Sequence, residues 1–267
     1  MKLAIIGLGN MGQAILSGIL KQDIIKAENI IAADKKFSEP EFELEAQFSE
    51  INITADNQKA AREADYIILA VKPQIIKFVL EDIKNDAAAK IIISIAAGVK
   101  TEMLSQYFGS DAKIVRVMPN TPALVAEGMS VLYYSPKVEA DEKAFIDKIF
   151  NSLGETAAVR EEDMDAVTGL SGSGPAFVYL FIEALADAGV LKGLDRQTSL
   201  KLAAQTVKGG AEMALSSGRH PAELKDMVCS PAGTTIAGVA ELEDKAFRSA
   251  VIRAVKAAAE RSEELGK

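Results

Sequence analysis

An apolar run at residues 2–6 leads directly into Gly7-Leu8-Gly9-Asn10-Met11-Gly12. Three glycines at this spacing, between a strand and a helix, constrain the fold more than any other feature of the chain. The first permits a tight turn. The second lets a pyrophosphate approach the backbone, and the third lets the helix pack close to the strand. Free N–H groups at Asn10, Met11 and Gly12, with the positive end of the helix dipole, then receive phosphates. A tight turn with no ligand would show the same glycines. The context favours the binding reading: the segment sits in a βαβ pattern whose second strand ends about twenty residues on.

That second strand ends in Ala33-Asp34-Lys35-Lys36. An acidic residue there holds the ribose hydroxyls of NAD and repels a 2′-phosphate. Lys35 and Lys36 argue the other way, as partners for the 2′-phosphate of NADP. We lean to NADPH, with NADH as the alternative. Ligands in open α/β sheets lie beyond the carboxyl ends of strands. Ala70-Val71-Lys72-Pro73, Ala96-Ala97-Gly98 and the loop around Asn120 are therefore expected to ring the nicotinamide. Pro73 forces Lys72 out of helical geometry, so the chain turns there.

Strand-like runs recur at 2–6, 29–33, 66–71, 90–96, 113–118 and 129–134, with 154–160 as a last short strand or linker. Several are continuously apolar, as in parallel strands covered on both faces. Alternation with helices predicts a doubly wound α/β domain over 1–160. From 161 to 267 the texture is Ala-, Leu-, Glu- and Lys-rich. It predicts an all-α domain of three or four helices, serving substrate binding and dimerisation. Breaks fall at 189–193, 216–221 and 230–233, and Asp195 reads as an N-cap. Phe247, Val251, Val255 and Ala259 mark one buried face on a final helix.

The formal net charge is −8, which argues against broad nucleic-acid binding. The single cysteine fits a reducing compartment. The most apolar segment, 175–191, contains Glu183 and Asp187 and falls short of the roughly 20 apolar residues a bilayer needs. It reads as a buried helix, and we expect a cytoplasmic protein.

Two segments of the helical half stand out. Gly169-Leu170-Ser171-Gly172-Ser173-Gly174-Pro175-Ala176 precedes a long apolar helix. Cys229-Ser230-Pro231-Ala232-Gly233-Thr234-Thr235-Ile236 lies between two helices. Hydroxyl residues and free N–H groups at a helix start can bind a carboxylate, though such segments are more often ordinary caps and turns. These segments occur in order with the glycine loop, Ala70-Val71-Lys72-Pro73, Ser94-Ile95-Ala96-Ala97-Gly98, Met118-Pro119-Asn120-Thr121-Pro122-Ala123 and His220-Pro221. Together with Leu224-Lys225-Asp226-Met227-Val228-Cys229-Ser230-Pro231, the set strongly resembles pyrroline-5-carboxylate reductase.

The resemblance implies a Rossmann domain and a helical domain whose helices interlock in a homodimer, or in a higher oligomer of dimers. It implies hydride transfer to the C=N carbon of a cyclic imino acid, giving L-proline. Thr235 would bond the imine nitrogen. Ser230 and the backbone of Gly233 and Thr234 would hold the carboxylate, with Ser173 in the substrate set and the partner chain completing the pocket. Asn57 would touch the adenosine ribose. Ala232 departs from the family's pattern, which has a second glycine there, and alanine is comfortable only at negative φ.

Reduction of a protonated imine needs little acid–base help, so a site without a catalytic histidine is chemically adequate. His220 reads as structural and Cys229 as a small packing residue. No cluster has metal-ligand spacing. A β-hydroxyacid dehydrogenase would share the architecture but needs a lysine four residues after the last glycine, where this chain has Val178. A non-catalytic dinucleotide-binding regulator would keep the cofactor pocket and have no need of Thr235.

Overall fold

A computed structural model describes residues 1–38 and 48–266. The chain divides into two compact units, Met1–Gly172 with Ala257–Lys267, and Ser173–Lys256. In the first, β1 (Leu3–Ile6), α1 (Asn10–Lys21), β2 (Ile30–Ala33), β3 (Asn52–Thr54), α2 (Asn57–Glu63), β4 (Tyr66–Leu69) and α3 (Pro73–Ala87) succeed one another. Then come β5 (Ile91–Ser94), α4 (Thr101–Phe108), β6 (Lys113–Met118), β7 (Gly128–Tyr134), α5 (Ala140–Asn151), β8 (Gly154–Ala158) and the single turn α6 (Met164–Val167).

Among the described residues the sheet has eight strands in the order β3-β2-β1-β4-β5-β6-β7-β8. The strand order reverses between β1 and β4, the position where such sheets bind ligands. The continuous apolar runs have the expected cause. Leu3, Ile5, Ile68 and Ile93 face α1 and α5, while Ala4, Ile6, Ile67 and Ile92 face α2, α3 and α4. Every side chain of β1, β2, β4 and β5 is buried.

Two features depart from the expectation. β3 has no counterpart in it, because three residues at a sheet edge, with Ile53 exposed, carry no readable periodicity. β6 and β7 pair antiparallel. Residues 119–127 are too short for the dozen or so residues of a parallel crossover, so the chain must double back.

Glu161 ties the end of the α/β region together. Its carboxylate accepts from the Thr101 backbone N–H (2.7 Å), Thr101 Oγ1 (2.6 Å) and the buried Arg116 guanidinium (2.8 Å). Burial alone would push the Glu161 carboxyl up, but the Thr101 bonds and Arg116 outweigh it and hold it below its ordinary 4.5. A depressed carboxylate contributes stability above its unfolded pKa and loses it as pH falls through the folded one. Glu161→Gln is expected to cost about 3 kcal/mol at neutral pH, because Arg116 stays buried without its counter-charge. The variant's melting temperature should also fall less steeply than the wild type's between pH 5 and 3, by calorimetry.

In the second unit α7 (Gly174–Leu191) and α8 (Arg196–Ser216) pack as a pair. They are followed by α9 (Pro221–Val228), α10 (Thr234–Asp244) and α11 (Phe247–Leu265), whose last turns belong to the first unit. Among the described residues this unit has five helices where three or four are expected: α9 falls between the expected breaks at 216–221 and 230–233, and the further break is the turn at Ala246 (φ +55°), which separates α10 from α11. Asp195 caps α8 through the Thr198 N–H at 2.9 Å, as its position implied.

The expectation that 175–191 is a buried helix is corrected. Ala186 is the one buried residue of α7, while Leu180 is 68% and Leu191 82% exposed. The face of α11 read as buried is open at Phe247 and Val251, while Val255 and Ala259 are half-buried. An apolar helix can be a core helix only if something covers it, and one chain does not. Residues 168–172 form a π-turn, so the helical run Glu161–Leu191 is by length and composition long and apolar enough to cross a membrane.

Candidate active site

The glycine loop lies at the carboxyl end of β1. Gly7 adopts φ +99°, and a β-carbon there would lie 2.6 Å from the Ala70 carbonyl oxygen. A β-carbon on Gly12 would lie 2.1 Å from the Gly7 carbonyl oxygen. Both glycines are required by the fold. Gly9 is different: its backbone is extended (φ −70°, ψ −176°), and a β-carbon would meet nothing within 4 Å. Nothing inside the chain demands a glycine there. It caps α1 without a side-chain acceptor, so the first-turn N–H groups of Asn10, Met11 and Gly12 are directed at an incoming anion. These residues fit a dinucleotide pyrophosphate.

Beside the loop is a cavity of about 700 Å³, lined by Gly7, Asp34, Lys35, Asn57 and Val71 among others. Asp34 Oδ2 accepts the Leu8 N–H at 2.8 Å, and Oδ1 accepts the Lys36 N–H at 3.0 Å. The carboxylate thus clasps the glycine loop from the end of β2. Lys35 is exposed and among the residues that line the cavity, whereas Lys36 contributes a backbone bond to Asp34. Asn57, buried at the start of α2, donates to Asp82 Oδ2 at 3.1 Å, and Gln58 donates to Asp82 Oδ1 at 3.0 Å. Sequence reading missed Gln58, Asp82 and the apolar wall of Ile75, Val79 and Phe78. Phe78 is 74% exposed on α3. An exposed phenylalanine in an otherwise amphipathic helix is the signal that could have found that wall.

The other expected rim residues have structural duties. The Ala70 N–H continues the ladder to the Ile6 carbonyl at 2.8 Å. Lys72 is the extended N-cap of α3 and Pro73 its first residue. Ala97 is half-buried, and Gly98 (φ +74°) abuts the chain's end, where a β-carbon would come 3.3 Å from the Gly266 nitrogen. Asn120 uses its whole amide: Oδ1 accepts the Met129 N–H at 2.9 Å, and Nδ2 donates to the Ser171 carbonyl at 3.2 Å. It staples the β6–β7 loop to the π-turn.

In the second unit, Ser230, Gly233, Thr234 and Thr235 gather where α9 gives way to α10. Gly233 is the N-cap of α10 and donates its N–H to the Ser230 carbonyl at 3.0 Å. A β-carbon on Gly233 would lie 2.2 Å from Ser230 Oγ, so the serine hydroxyl sits over the cap. No side chain caps α10 among the described residues, which leaves its first-turn N–H groups for a carboxylate. Thr234 and Thr235 open the helix. Ser173, half-buried, precedes α7. His220 is the N-cap of α9, its Nδ1 accepting the Ala222 N–H at 3.2 Å, and Cys229 is half-buried at that helix's end.

Residues 161–265 match the family model for pyrroline-5-carboxylate reductase dimerisation, and residues 2–98 that for NADP oxidoreductase, coenzyme F420-dependent. The pyrroline-5-carboxylate reductase of Methanosarcina acetivorans is 47% identical, with 100% of this chain and 98% of the relative covered. That of Escherichia coli is 44% identical at the same coverage. The chain belongs to the pyrroline-5-carboxylate reductase family. Among solved structures, a Plasmodium falciparum pyrroline carboxylate reductase with NADP bound superposes with a TM-score of 0.90. It is 42% identical and covers 100% of this chain and 98% of its own.

Membership in the pyrroline-5-carboxylate reductase family accounts for the apolar helices of the second unit. A dimerisation domain buries such faces between copies, as obligate interfaces do. It also bears on Ala232, where the resemblance implies a glycine. The residue stands at φ +57°, so the left-handed turn before Gly233 is kept although a β-carbon opposes it. That conformation costs an alanine about 1 kcal/mol. Ala232→Gly should therefore raise the melting temperature by about 2–3 °C. An unchanged or lower value in scanning calorimetry would show that the turn is not strained.

Proposed function

We propose that this chain reduces the C=N bond of 1-pyrroline-5-carboxylate to L-proline. NADPH is the hydride donor, as the NADP-bound relative supports, and NADH is the alternative. The observation that carries the reading is the start of α10. A glycine cap, the overlying Ser230 hydroxyl and the free N–H groups of Thr234 and Thr235 make a carboxylate cradle. Iminium reduction asks for little more than that.

The nicotinamide, when bound, supplies the hydride to the imine carbon. The chain's part is to hold and orient. Gly7, Gly9, Asn10, Met11 and Gly12 take the pyrophosphate, and Asp34, Lys35, Lys36 and Asn57 the adenosine ribose. Residues 70–73, Ala97, Gly98 and Asn120 shape the nicotinamide rim. Ser230, Gly233, Thr234 and Ser173 hold the substrate. Thr235 Oγ bonds the imine nitrogen, which becomes the amine as the carbon accepts hydride. Good orientation of this kind is worth about 7–11 kcal/mol.

The division of labour places cofactor binding in 1–160 and substrate binding with dimerisation in 161–267. The C-terminal helices interlock in a homodimer, with larger oligomers built from dimers, in the cytoplasm. The direct assay follows nicotinamide absorbance with pyrroline-5-carboxylate and each cofactor. Thr235→Ala should lower turnover roughly 10- to 150-fold, the cost of one hydrogen bond to a charged group, and leave the cofactor dissociation constant unchanged. Wild-type turnover in that variant would remove Thr235 from the site.

A further inference from the structure

We propose that the last turn of α11, residues 262–266, is a positioning element for hydride transfer, acting on the nicotinamide rim through Gly98. The inference rests on the reading that Ala97 and Gly98 shape that rim.

The rim after β5 is a turn with one soft point. The Ile95 N–H still bonds the Leu69 carbonyl at 3.2 Å, and the Ala96 N–H bonds Ser94 Oγ at 3.3 Å. The Val99 N–H then closes on the Ala96 carbonyl at 3.4 Å, with Gly98 at φ +74° in the third position. This is a type II turn, which requires positive φ there. Glycine takes negative φ about as readily. A flip of the 97–98 peptide would reverse the Ala97 carbonyl and the Gly98 N–H and keep the same closing bond. The turn's own bonds therefore do not select its state, and an outside contact has to.

The end of α11 supplies that contact. Ser262 is the one buried residue of this 19-residue helix. Its Oγ donates to Asp165 Oδ1 at 2.6 Å, which seats the turn against α6. The Gly266 N–H returns to the Ser262 carbonyl at 3.1 Å. A β-carbon on Gly266 would lie 2.7 Å from the Gly98 carbonyl oxygen, and one on Gly98 would lie 3.4 Å from the Ser262 carbonyl oxygen. Backbone thus meets backbone, with no room for a β-carbon on Gly266. Both partners belong to the first unit. A cavity of about 330 Å³, lined by Ile76, Met103 and Leu265 among others, flanks the contact. The turn is not packed from that side, so its seat depends on Gly98 and on the Ser262–Asp165 bond.

The test is single-turnover hydride transfer in the full-length protein, with pyrroline-5-carboxylate and NADPH saturating. Gly266→Ala should slow the step about 10- to 100-fold, the cost of a small misplacement of the donor. Ser262→Ala should slow it less. Neither should change the NADPH dissociation constant or the melting temperature. With NADPH deuterated at C4, the isotope effect on kcat should rise in both, because the slowed step becomes rate-limiting. Arg261→Ala, whose exposed side chain pairs with Glu264 in the same turn, should behave as wild type. Ala97→Val alters the rim itself and should also slow transfer. If Ala97→Val slows it and the two α11 variants do not, the proposal is overturned and the rim reading survives. If Ala97→Val leaves it unchanged, both are overturned. Lower stability or weaker cofactor binding in the α11 variants, with hydride transfer at the wild-type rate, would mark a merely structural turn and also overturn the proposal.

Discussion

Gly9→Val should abolish cofactor binding while leaving the fold nearly intact. A β-carbon at Gly9 meets no atom of the chain within 4 Å, and its φ of −70° suits valine. The cost to the protein is confined to a poorer N-cap on α1, about 1 kcal/mol. The valine methyls nevertheless project where the pyrophosphate must approach the backbone. A loss of 100-fold or more in affinity, about 2.7 kcal/mol or more, is expected in a fluorescence titration. Gly12→Ala is the informative contrast. Its β-carbon would sit 2.1 Å from the Gly7 carbonyl oxygen, so α1 must move off the strand. That variant should lose at least about 1–3 kcal/mol of stability by overpacking. Full cofactor affinity in Gly9→Val would dismiss the glycine loop as a binding element.

Leu180→Asp should dissociate the assembly. Leu180 lies in α7 with Val178 and Tyr179, all exposed in the single chain. A second copy that covers this face would have to bury an unpaired carboxylate from each chain, at several kcal/mol apiece. Sedimentation should show the single-chain mass at concentrations where wild type is dimeric, with association weakened 1,000-fold or more, about 4 kcal/mol. Turnover should fall with it, as the family resemblance implies a pocket that the partner chain completes. A dimer of unchanged stability would place the interface elsewhere.

Both variants turn on features with different legibility. Local features can be read from the chain because their causes are local. Gly7 needs positive φ, Pro73 sets Lys72 extended, Asp195 caps α8, and β1, β2, β4 and β5 carry the unbroken apolar runs of doubly covered strands. The order of motifs from Gly7 to Thr235 likewise pointed to the family that full-length relatives then established.

Other features depend on residues far apart in sequence meeting in space. Asp34 reads as a ribose ligand, but its two bonds to Leu8 and Lys36 appear only when β2 lies beside β1. Asn120 reads as a rim residue, and its amide turns out to join Met129 to Ser171. Gln58 and Phe78 enter the cavity wall because α2 and α3 flank the same strand ends. The apolarity of 175–191 was legible, but whether those side chains face their own chain or another was not. Periodicity records which face avoids water and carries no information about what covers it. The sequence alone determined the strands, the glycine turn, the caps and the chemistry the loops can offer, because each follows from backbone conformation within a few residues. The tertiary structure decided which carboxylate clasps the loop, which amides are already satisfied and which apolar helices remain uncovered, because those are contacts between segments that only folding brings together.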